Sequence, residues 1–373
     1  MPLLANIDVV INASGALQDG SRDHLEHIHH TAIAALVAAG EAGGGLFRLI
    51  QISAPGAVAH ATTEFMRSKA RGDEAIKRSA LGWIILRPGL VIGPNAYGGS
   101  ALIRMMAAFP LVMPIASAGK RIQTVALSDV TQVVLDAVDG RLPNHTDVDL
   151  LEADAHTFLQ IVERVRGWMG IAPALATISI PRACIRVVSW CADALGHLGW
   201  RSPLRSTAVR ALEEEICGDA ARLSPLRGAG LRSLDQTLAA MPATLQERWF
   251  ARLYLLMPLM VATLALFWLL SGAIGVLDVG KSVAVLASAD VSPGAAAALV
   301  VGGAFIDMLL GMAILYRPLA RPACFGMMAT CMVYLLAGSV LQPALWLDPL
   351  GPFVKVLPVM MLAAVTMAVL EER

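Results

Sequence analysis

The sequence predicts an α/β domain built on a doubly wound parallel sheet, then a helical lobe, then an all-α domain of four membrane-spanning helices. Three observations predict this architecture. Apolar runs of strand length alternate with amphipathic helical patterns over residues 7–90. The apolar share of the 373 residues is 56%, above the roughly 45–50% of soluble domains, and the mean hydropathy is +0.63. That excess gathers at the C-terminal end, in apolar stretches long enough to cross a bilayer.

The first strand is Ile7-Asp8-Val9-Val10-Ile11-Asn12, a β-branched run closed by the small residues Ala13-Ser14-Gly15, which let a ligand approach the backbone. A helix follows, with Ser21 or Asp23 as caps and Leu25, Ile28, Ala32, Leu36 and Val37 at helical spacing, ending at Gly43-Gly44-Gly45. Next come a strand over 46–53, a helix over 64–79 and a strand over 83–87. Such alternation makes the strands parallel and puts the ligand crevice at their carboxyl ends. Asn12 to Gly15, Ser53 to Gly56 and Pro88 to Gly93 fall at those ends. Phe65 and Lys69, four apart, share one helical face about a turn apart.

These residues carry a resemblance. Asn12-Ala13-Ser14-Gly15, Ile52-Ser53, Phe65-x-x-x-Lys69 followed by Ala70-x-Gly72-Asp73-Glu74, and Leu86-Arg87-Pro88-Gly89-x-Val91-x-Gly93-Pro94 resemble, in order and spacing, the extended and atypical short-chain dehydrogenase/reductase superfamily. The nearest likeness is the branch of the NAD(P)H-binding accessory subunit of respiratory complex I. Val125 to Val130, with Asp129, resembles that family's late strand-and-turn segment. The resemblance spans residues 5–140 and implies a Rossmann-like domain with NAD or NADP as cofactor. It implies that Asn12, Ala13, Ser14 and Gly15 lie along the dinucleotide and that Lys69 bonds the nicotinamide ribose. Pro88, Gly89 and Val91 would flank the nicotinamide, and Ser53 would orient a substrate carbonyl.

Two departures bear on chemistry. The family's general-acid tyrosine, whose pKa the lysine lowers, is replaced by Phe65. A phenyl ring can stack on an apolar ligand or the nicotinamide but has no proton to give. The family's first strand, Gly-x-x-Gly-x-x-Gly loop and next two strands precede the segment that Asn12 begins, and only 11 residues stand before it. That loop supplies the N–H groups that hold a pyrophosphate. The expectation is a partial Rossmann-like sheet, its sequence starting late in the reading frame with Met1 an internal methionine, and with apolar edges exposed. The alternative is a degenerate domain that binds no nucleotide.

The histidines His24, His27, His29 and His30 share helical spacing but lack a carboxylate or cysteine partner pattern, and no metal site is predicted. His29 aligns with a position where the family often carries an active-site asparagine, which implies a polar role at the cofactor edge. Cys184, Cys191, Cys217, Cys324 and Cys331 form no Cys-x-x-Cys and read as reduced, mostly buried thiols. The balance of 29 basic and 29 acidic residues argues against nucleic acid as a partner.

Residues 151–250 read as helices over 156–169, 181–198, 204–217 and 232–248, broken at Gly170-Ile171-Ala172-Pro173 and Leu226-Arg227-Gly228. The resemblance implies a lobe that closes over substrate. Ile180 to Trp200 is apolar with scattered Arg182, Arg186 and His197, and because its basic residues are few it reads as a helix facing the core of the lobe, with a membrane-surface helix as the other reading.

Residues 251–373 hold four candidate spans: Leu253 to Leu277, Ala295 to Tyr316, Ala323 to Leu347 with its end near Leu341, and Phe353 to Leu370. Arg248, Arg252, Arg317, Arg321 and Arg373 flank one side, Lys281 and Lys355 the other. Both termini, and the first domain (residues 1–150), are therefore expected on the cytoplasmic side of the inner membrane. Glu247-Arg248-Trp249-Phe250-Ala251-Arg252-Leu253-Tyr254, Asp307-Met308-Leu309-Leu310-Gly311 and Asp348-Pro349-Leu350-Gly351-Pro352 resemble the DoxX-like four-helix membrane family. Asp307, an acid midway along a span, is the membrane-site candidate, reading as a ligand or proton site or as a structural bond to a neighbouring helix backbone. Lys355 lies toward the opposite face. The function expected is that of a membrane-anchored, NAD(P)-binding oxidoreductase-family protein acting on a lipid-soluble substrate such as a quinone or isoprenoid. The alternative is a non-catalytic dinucleotide-binding sensor or assembly factor whose membrane helices bind a protein partner, which Phe65 favours.

Overall fold

Apolar runs become strands where both faces are covered, and the computed structural model shows this in its first half. It describes residues 4–370 except 5, 21–22, 45–46, 201, 203, 207–208, 211–214, 288–290 and 350. Ser21, Gly45, Leu350, Arg373 and part of the helix expected over 204–217 lie outside the described residues. The chain packs as two compact units, 1–197 with 201–252, and 198–200 with 253–373.

The first unit runs β1 (Val9–Asn12), α1 (Ala32–Ala42), β2 (Arg48–Ile52), α2 (Glu64–Lys77), β3 (Gly82–Pro88), β4 (Leu90–Ile92) and α3 (Gly99–Ala107). It continues through β5 (Val112–Ile115), β6 (Arg121–Ile122), β7 (Thr124–Ala126), α4 (Leu127–Val138), β8 (Thr146–Leu150) and β9 (His156–Thr157). The last elements are α5 (Phe158–Trp168), β10 (Ala176–Ser179), α6 (Arg182–His197) and α7 (Leu234–Ala239).

The main sheet has the order β1-β2-β3-β8, parallel throughout. Alternate residues of its central strands go to opposite faces. Leu49 and Ile85 pack with Ile33, Val37 and Ile76 of α1 and α2. Ile50, Ile84 and Leu86 pack with Val130, Val133 and Ala137 of α4. Helices on both faces make the sheet doubly wound, which is why β2 and β3 read as continuous apolar runs. β1 lies at the edge, with Ile11 48% exposed. The fourth strand escapes sequence reading because Asp147 and Asp149 interrupt it; Asp147 faces the Arg87 guanidinium at 2.7 Å.

Residues after 150 join a third core, in which Phe158, Ile161 and Leu234 pack with Ile103, Met113 and Ile115. Three expectations need correction here. The helix over 232–248 is broken at Met241-Pro242, because proline lacks the N–H and clashes with the preceding turn: α7 ends at Ala239, and the next helix starts at Leu245. The helix over 204–217 does not reach 217, since Ile216 forms a parallel bridge to Ile122. The apolar face of α6 points away from the core, with Trp190 75% exposed. The thiols also differ from expectation: Cys324 and Cys331 are buried, whereas Cys184 and Cys191 are exposed.

The later helices are α8 (Leu245–Leu277), α9 (Val279–Ala287), α10 (Pro293–Ala313), α11 (Arg317–Leu341) and α12 (Pro352–Val369). All but α9 are long and apolar enough to cross a membrane. Within the second unit Leu264, Trp268, Cys324, Met327 and Ala363 form the core, while Leu266, Leu270, Leu299 and Phe305 are exposed, as lipid-facing positions are. A Cβ on Gly311 would stand 2.8 Å from Leu269 Cγ and 3.2 Å from the Ala265 carbonyl oxygen. Glycine there lets α8 and α10 pack closely.

Candidate functional site

The carboxyl ends of β1 and β2 and the first turns of α2 bring together Gly15, His29, Phe65, Ser68 and Lys69. Thr63 caps α2 by accepting from the Met66 N–H at 3.4 Å, which fixes where the helix starts and so where Phe65 and Lys69 stand. His29 lies in a π-helical turn, His27–Thr31, ahead of α1, a feature common at functional sites. The turn packs tightly on α2: a Cβ on Gly72 would stand 2.0 Å from the His29 carbonyl oxygen. The histidines and Gly72 are legible in the sequence, but the π turn is not, because its extra residue breaks the helical period.

Hydrogen bonds fix the His29 ring. Its Nε2 accepts from the Ala16 N–H at 3.1 Å, so Nδ1 carries the proton and donates to Ser68 Oγ at 2.9 Å, which donates onward to the Phe65 carbonyl oxygen at 3.1 Å. Burial, reinforced by the Lys69 charge, lowers its pKa to about 4. The imidazole is therefore neutral at physiological pH. His30 pairs with Glu26, and among the described residues no group of His, Cys, Asp and Glu side chains is placed to hold a metal.

Lys69 is buried, 6% exposed. Its Nζ donates to the Ile52 carbonyl oxygen at 3.2 Å and lies 5.6 Å from the centre of the Phe65 ring. That ring meets His29 edge-on at 5.5 Å. Burial lowers the ammonium pKa against the opposing pull of the Asp73 carboxylate. A Cβ on Gly15 would be 3.6 Å from His29 Nε2 and 3.8 Å from Lys69 Nζ, so the exposed Gly15 backbone and the lysine ammonium adjoin one space. Asn12 is turned inward: its Nδ2 donates to Gln51 Oε1 at 2.8 Å, and its Oδ1 accepts from the Ser14 N–H and hydroxyl at 3.1 and 2.6 Å. Ala13 and Ser14 are exposed beside it.

Ser53 is buried behind the site and donates its hydroxyl proton to Asp73 Oδ2 at 2.6 Å. Arg87 reaches the same carboxylate at 2.9 Å and Asp147 at 2.7 Å. Burial raises the Asp73 pKa, and Arg87 and Ser53 oppose it. Asp73 is the member of this constellation to which sequence pattern assigns no role; its position one turn after Lys69 is the available signal.

Pro88, Gly89 and Val91 are placed against β7 and β8. Gly89 donates its N–H to the Leu150 carbonyl at 3.1 Å, and Val91 is in register with Val125. Beyond them, at the carboxyl ends of β4 and β7, lies a cleft of about 540 Å³ lined by Ile92, Ala126, Leu127 and Met241 with Thr131 and Arg232 among its polar groups. Arg232 is held by Asp129 at 2.6 Å. In the second unit Asp307 is buried and accepts from Ser271 at 2.7 Å and Tyr334 at 3.0 Å, side chains of α8 and α11 in place of the backbone partner foreseen.

A ceramide reductase of Caulobacter vibrioides (strain NA1000 / CB15N) is 21% identical over 179 residues, which are 48% of this chain and 56% of that protein. The chain thus spans about half the length of this curated relative. Among solved structures, RMD from Pseudomonas aeruginosa complexed with NADPH is 14% identical, with 66% of this chain and 81% of that one covered and a TM-score of 0.47. The Bordetella bronchiseptica enzyme WbmG, in complex with NAD and UDP, is 11% identical over 65% and 73%, with a TM-score of 0.46. UDP-glucuronic acid 4-epimerase from Bacillus cereus, in complex with UDP-glucuronic acid and NAD, is 15% identical over 68% and 78%, with a TM-score of 0.46. Residues 265–364 match the model of the DoxX-like family, so the chain carries a DoxX-like domain at its C-terminal end.

Proposed function

We propose that the chain is a membrane-anchored, NAD(P)-binding oxidoreductase-family protein whose substrate is lipid-soluble. The observation that carries this reading is the buried Lys69 ammonium beside the exposed Gly15 backbone, with one acceptor among the described residues, the Ile52 carbonyl, against its three N–H donors. Spare donors on a desolvated ammonium fit a ribose diol. The residues present therefore fit the nicotinamide-ribose end of a dinucleotide; no glycine-rich phosphate loop stands among the described residues. When bound, such a cofactor supplies hydride transfer to or from a carbon–oxygen centre. The protein's part is to hold the ribose through Lys69, to pack Phe65 and the neutral His29 against the ligand, and to keep water from the reacting face. Ser53 gives its proton to Asp73, so it acts through the Asp73–Arg87 network that fixes the end of β2.

Three features support an apolar substrate: the membrane helices, the cleft walled by Ile92, Leu127 and Met241, and a relative named for reducing a lipid. The division proposed is a nucleotide-binding domain over residues 1–150, a lobe over 151–250 and the membrane domain over 251–373, with the first domain and both termini cytoplasmic. The test is binding of NADH and NADPH to the full chain in detergent, read by nicotinamide fluorescence. Lys69→Ala is expected to weaken binding by about 10- to 100-fold, the value of hydrogen bonds to a charged group. No binding, or binding indifferent to Lys69, would end the proposal.

Phe65 favours a second reading, in which the dinucleotide is bound and not consumed and the protein serves as a sensor or assembly factor for a membrane partner. A bound nicotinamide that stays unoxidised across lipid ketones and quinones would select it. Hydride transfer that survives Phe65→Ala and is lost in Lys69→Ala would exclude it.

A further inference from the structure

Helix α6 is inverted with respect to a helix of a soluble domain. Its buried positions are small, Ser189, Ala192 and Gly196. Its large apolar residues face outward: Val187 is 61% exposed and Trp190 75%, and Val188, Leu195 and the thiols of Cys184 and Cys191 are exposed with them. At helical spacing these six fall in one continuous sector, and the exposed Arg182 and Arg186 stand outside it. A contiguous apolar face of this size marks an interaction surface.

The residues directly after α6, Leu198–Trp200, indicate what covers the face, because they belong to the membrane unit. There the Trp200 indole N–H donates to the Leu315 carbonyl at 2.6 Å, the Arg317 N–H donates to the Leu198 carbonyl at 3.0 Å, and the Arg317 guanidinium lies over the Trp200 ring at 5.5 Å. Leu315 and Arg317 stand where α10 ends and α11 begins, the boundary of two candidate spans. Tryptophan and arginine at such a boundary occupy the headgroup level. The chain leaving α6 is thus fastened at that level, one peptide bond beyond the helix. We propose that α6 lies in the bilayer interface, its Val187–Trp190–Leu195 sector inserted among acyl chains and Arg182 and Arg186 directed to anionic headgroups.

The test uses the full chain in nanodiscs holding one copy each, made of phosphatidylcholine and phosphatidylglycerol, with part of the lipid brominated near the carbonyl end of its chains. The difference in tryptophan emission between the native chain and Trp190→Phe isolates Trp190. That emission is expected to be blue-shifted and quenched by the brominated lipid. A membrane-impermeant maleimide is expected to label Cys184 and Cys191 several-fold more slowly than in Val187→Glu, with Cys324 and Cys331 unlabelled in both as the sign of an intact fold. Unquenched emission, or labelling of Cys184 and Cys191 as fast in the native chain as in the variant, overturns the proposal. Protection that arises only in discs holding two copies assigns the face to a second copy and overturns it as well.

Discussion

Phe65 lies edge-on to His29 and 5.6 Å from the Lys69 ammonium, so a hydroxyl added to its ring enters the neighbourhood of a buried cation. A cation there favours the phenolate and draws a tyrosine toward the working pH. Under the enzymatic reading, Phe65→Tyr should raise hydride transfer by about 10²- to 10⁴-fold, the usual worth of a placed general acid, followed by nicotinamide absorbance; an unchanged rate would mean that proton transfer does not limit turnover. His29 supports a prediction on stability. Its pKa is about 4 in the fold against about 6.5 in an unfolded chain, so the unfolded state binds more protons between those values. The unfolding free energy should therefore rise with pH across that window, by at most about 1.4 kcal/mol per unit, and level off above it. His29→Gln, which cannot titrate, should flatten the slope in thermal unfolding of the full chain followed by circular dichroism at pH 4.5, 5.5 and 7. These residues were visible in the sequence because their spacing is local. That Ser53 spends its proton on Asp73 was not visible, because the two are brought together only when α2 packs beside β2.

At the scale of elements, the contact between the π turn and α2 rests on Gly72. Gly72→Ala puts a methyl group onto the His29 carbonyl oxygen, and one of the two segments must move. A loss of about 1–3 kcal/mol, the cost of overpacking, should accompany weaker dinucleotide binding, since His29 and Lys69 are set by these same segments. Gly119→Ala, where a Cβ meets nothing within 4 Å, is the control, and a similar loss there would remove the contact as the cause. Asp307 ties α10 to α8 and α11 through Ser271 and Tyr334. Ser271→Ala and Tyr334→Phe should each cost about 0.6 kcal/mol, typical of a hydrogen bond between membrane helices, measured by denaturation in mixed micelles; a cost several times larger in either would show that Asp307 does more than join helices. Sequence pattern identified β1, β2, β3, α2 and the four spans because each buries or exposes a continuous apolar face. It missed β8, where Asp147 and Asp149 carry partners rather than solvent. It misjudged α6 because periodicity reveals that a face exists and is silent on what covers it.

At the scale of the whole molecule, α8 decides how the chain meets the bilayer. Its 33 residues span about 50 Å at 1.5 Å per residue, against a hydrocarbon core of about 30 Å. About two fifths of an upright helix of this length stands outside the core. Leu253–Leu277 is free of charge, so the excess is the N-terminal end, which carries Arg248 and Arg252. α11 opens on Arg317 and Arg321, whereas the opposite ends offer Lys281 and Lys355. Arginine and lysine in short flanking segments are retained on the cytoplasmic side, so the proposed orientation has the start of α8, the α10–α11 turn and the C-terminus there. A fluorescent protein fused after Arg373 should fluoresce, and alkaline phosphatase joined in the 278–292 segment should be active; the reverse pattern would invert the topology and with it the cytoplasmic placing of the first unit. Replacing Arg317 and Arg321 by Gln removes two of the five arginines that set the bias and leaves the lysines in place. A mixed population of both reporter signals is the outcome expected of that variant, because orientation follows the difference in positive charge between the two sides rather than any single residue.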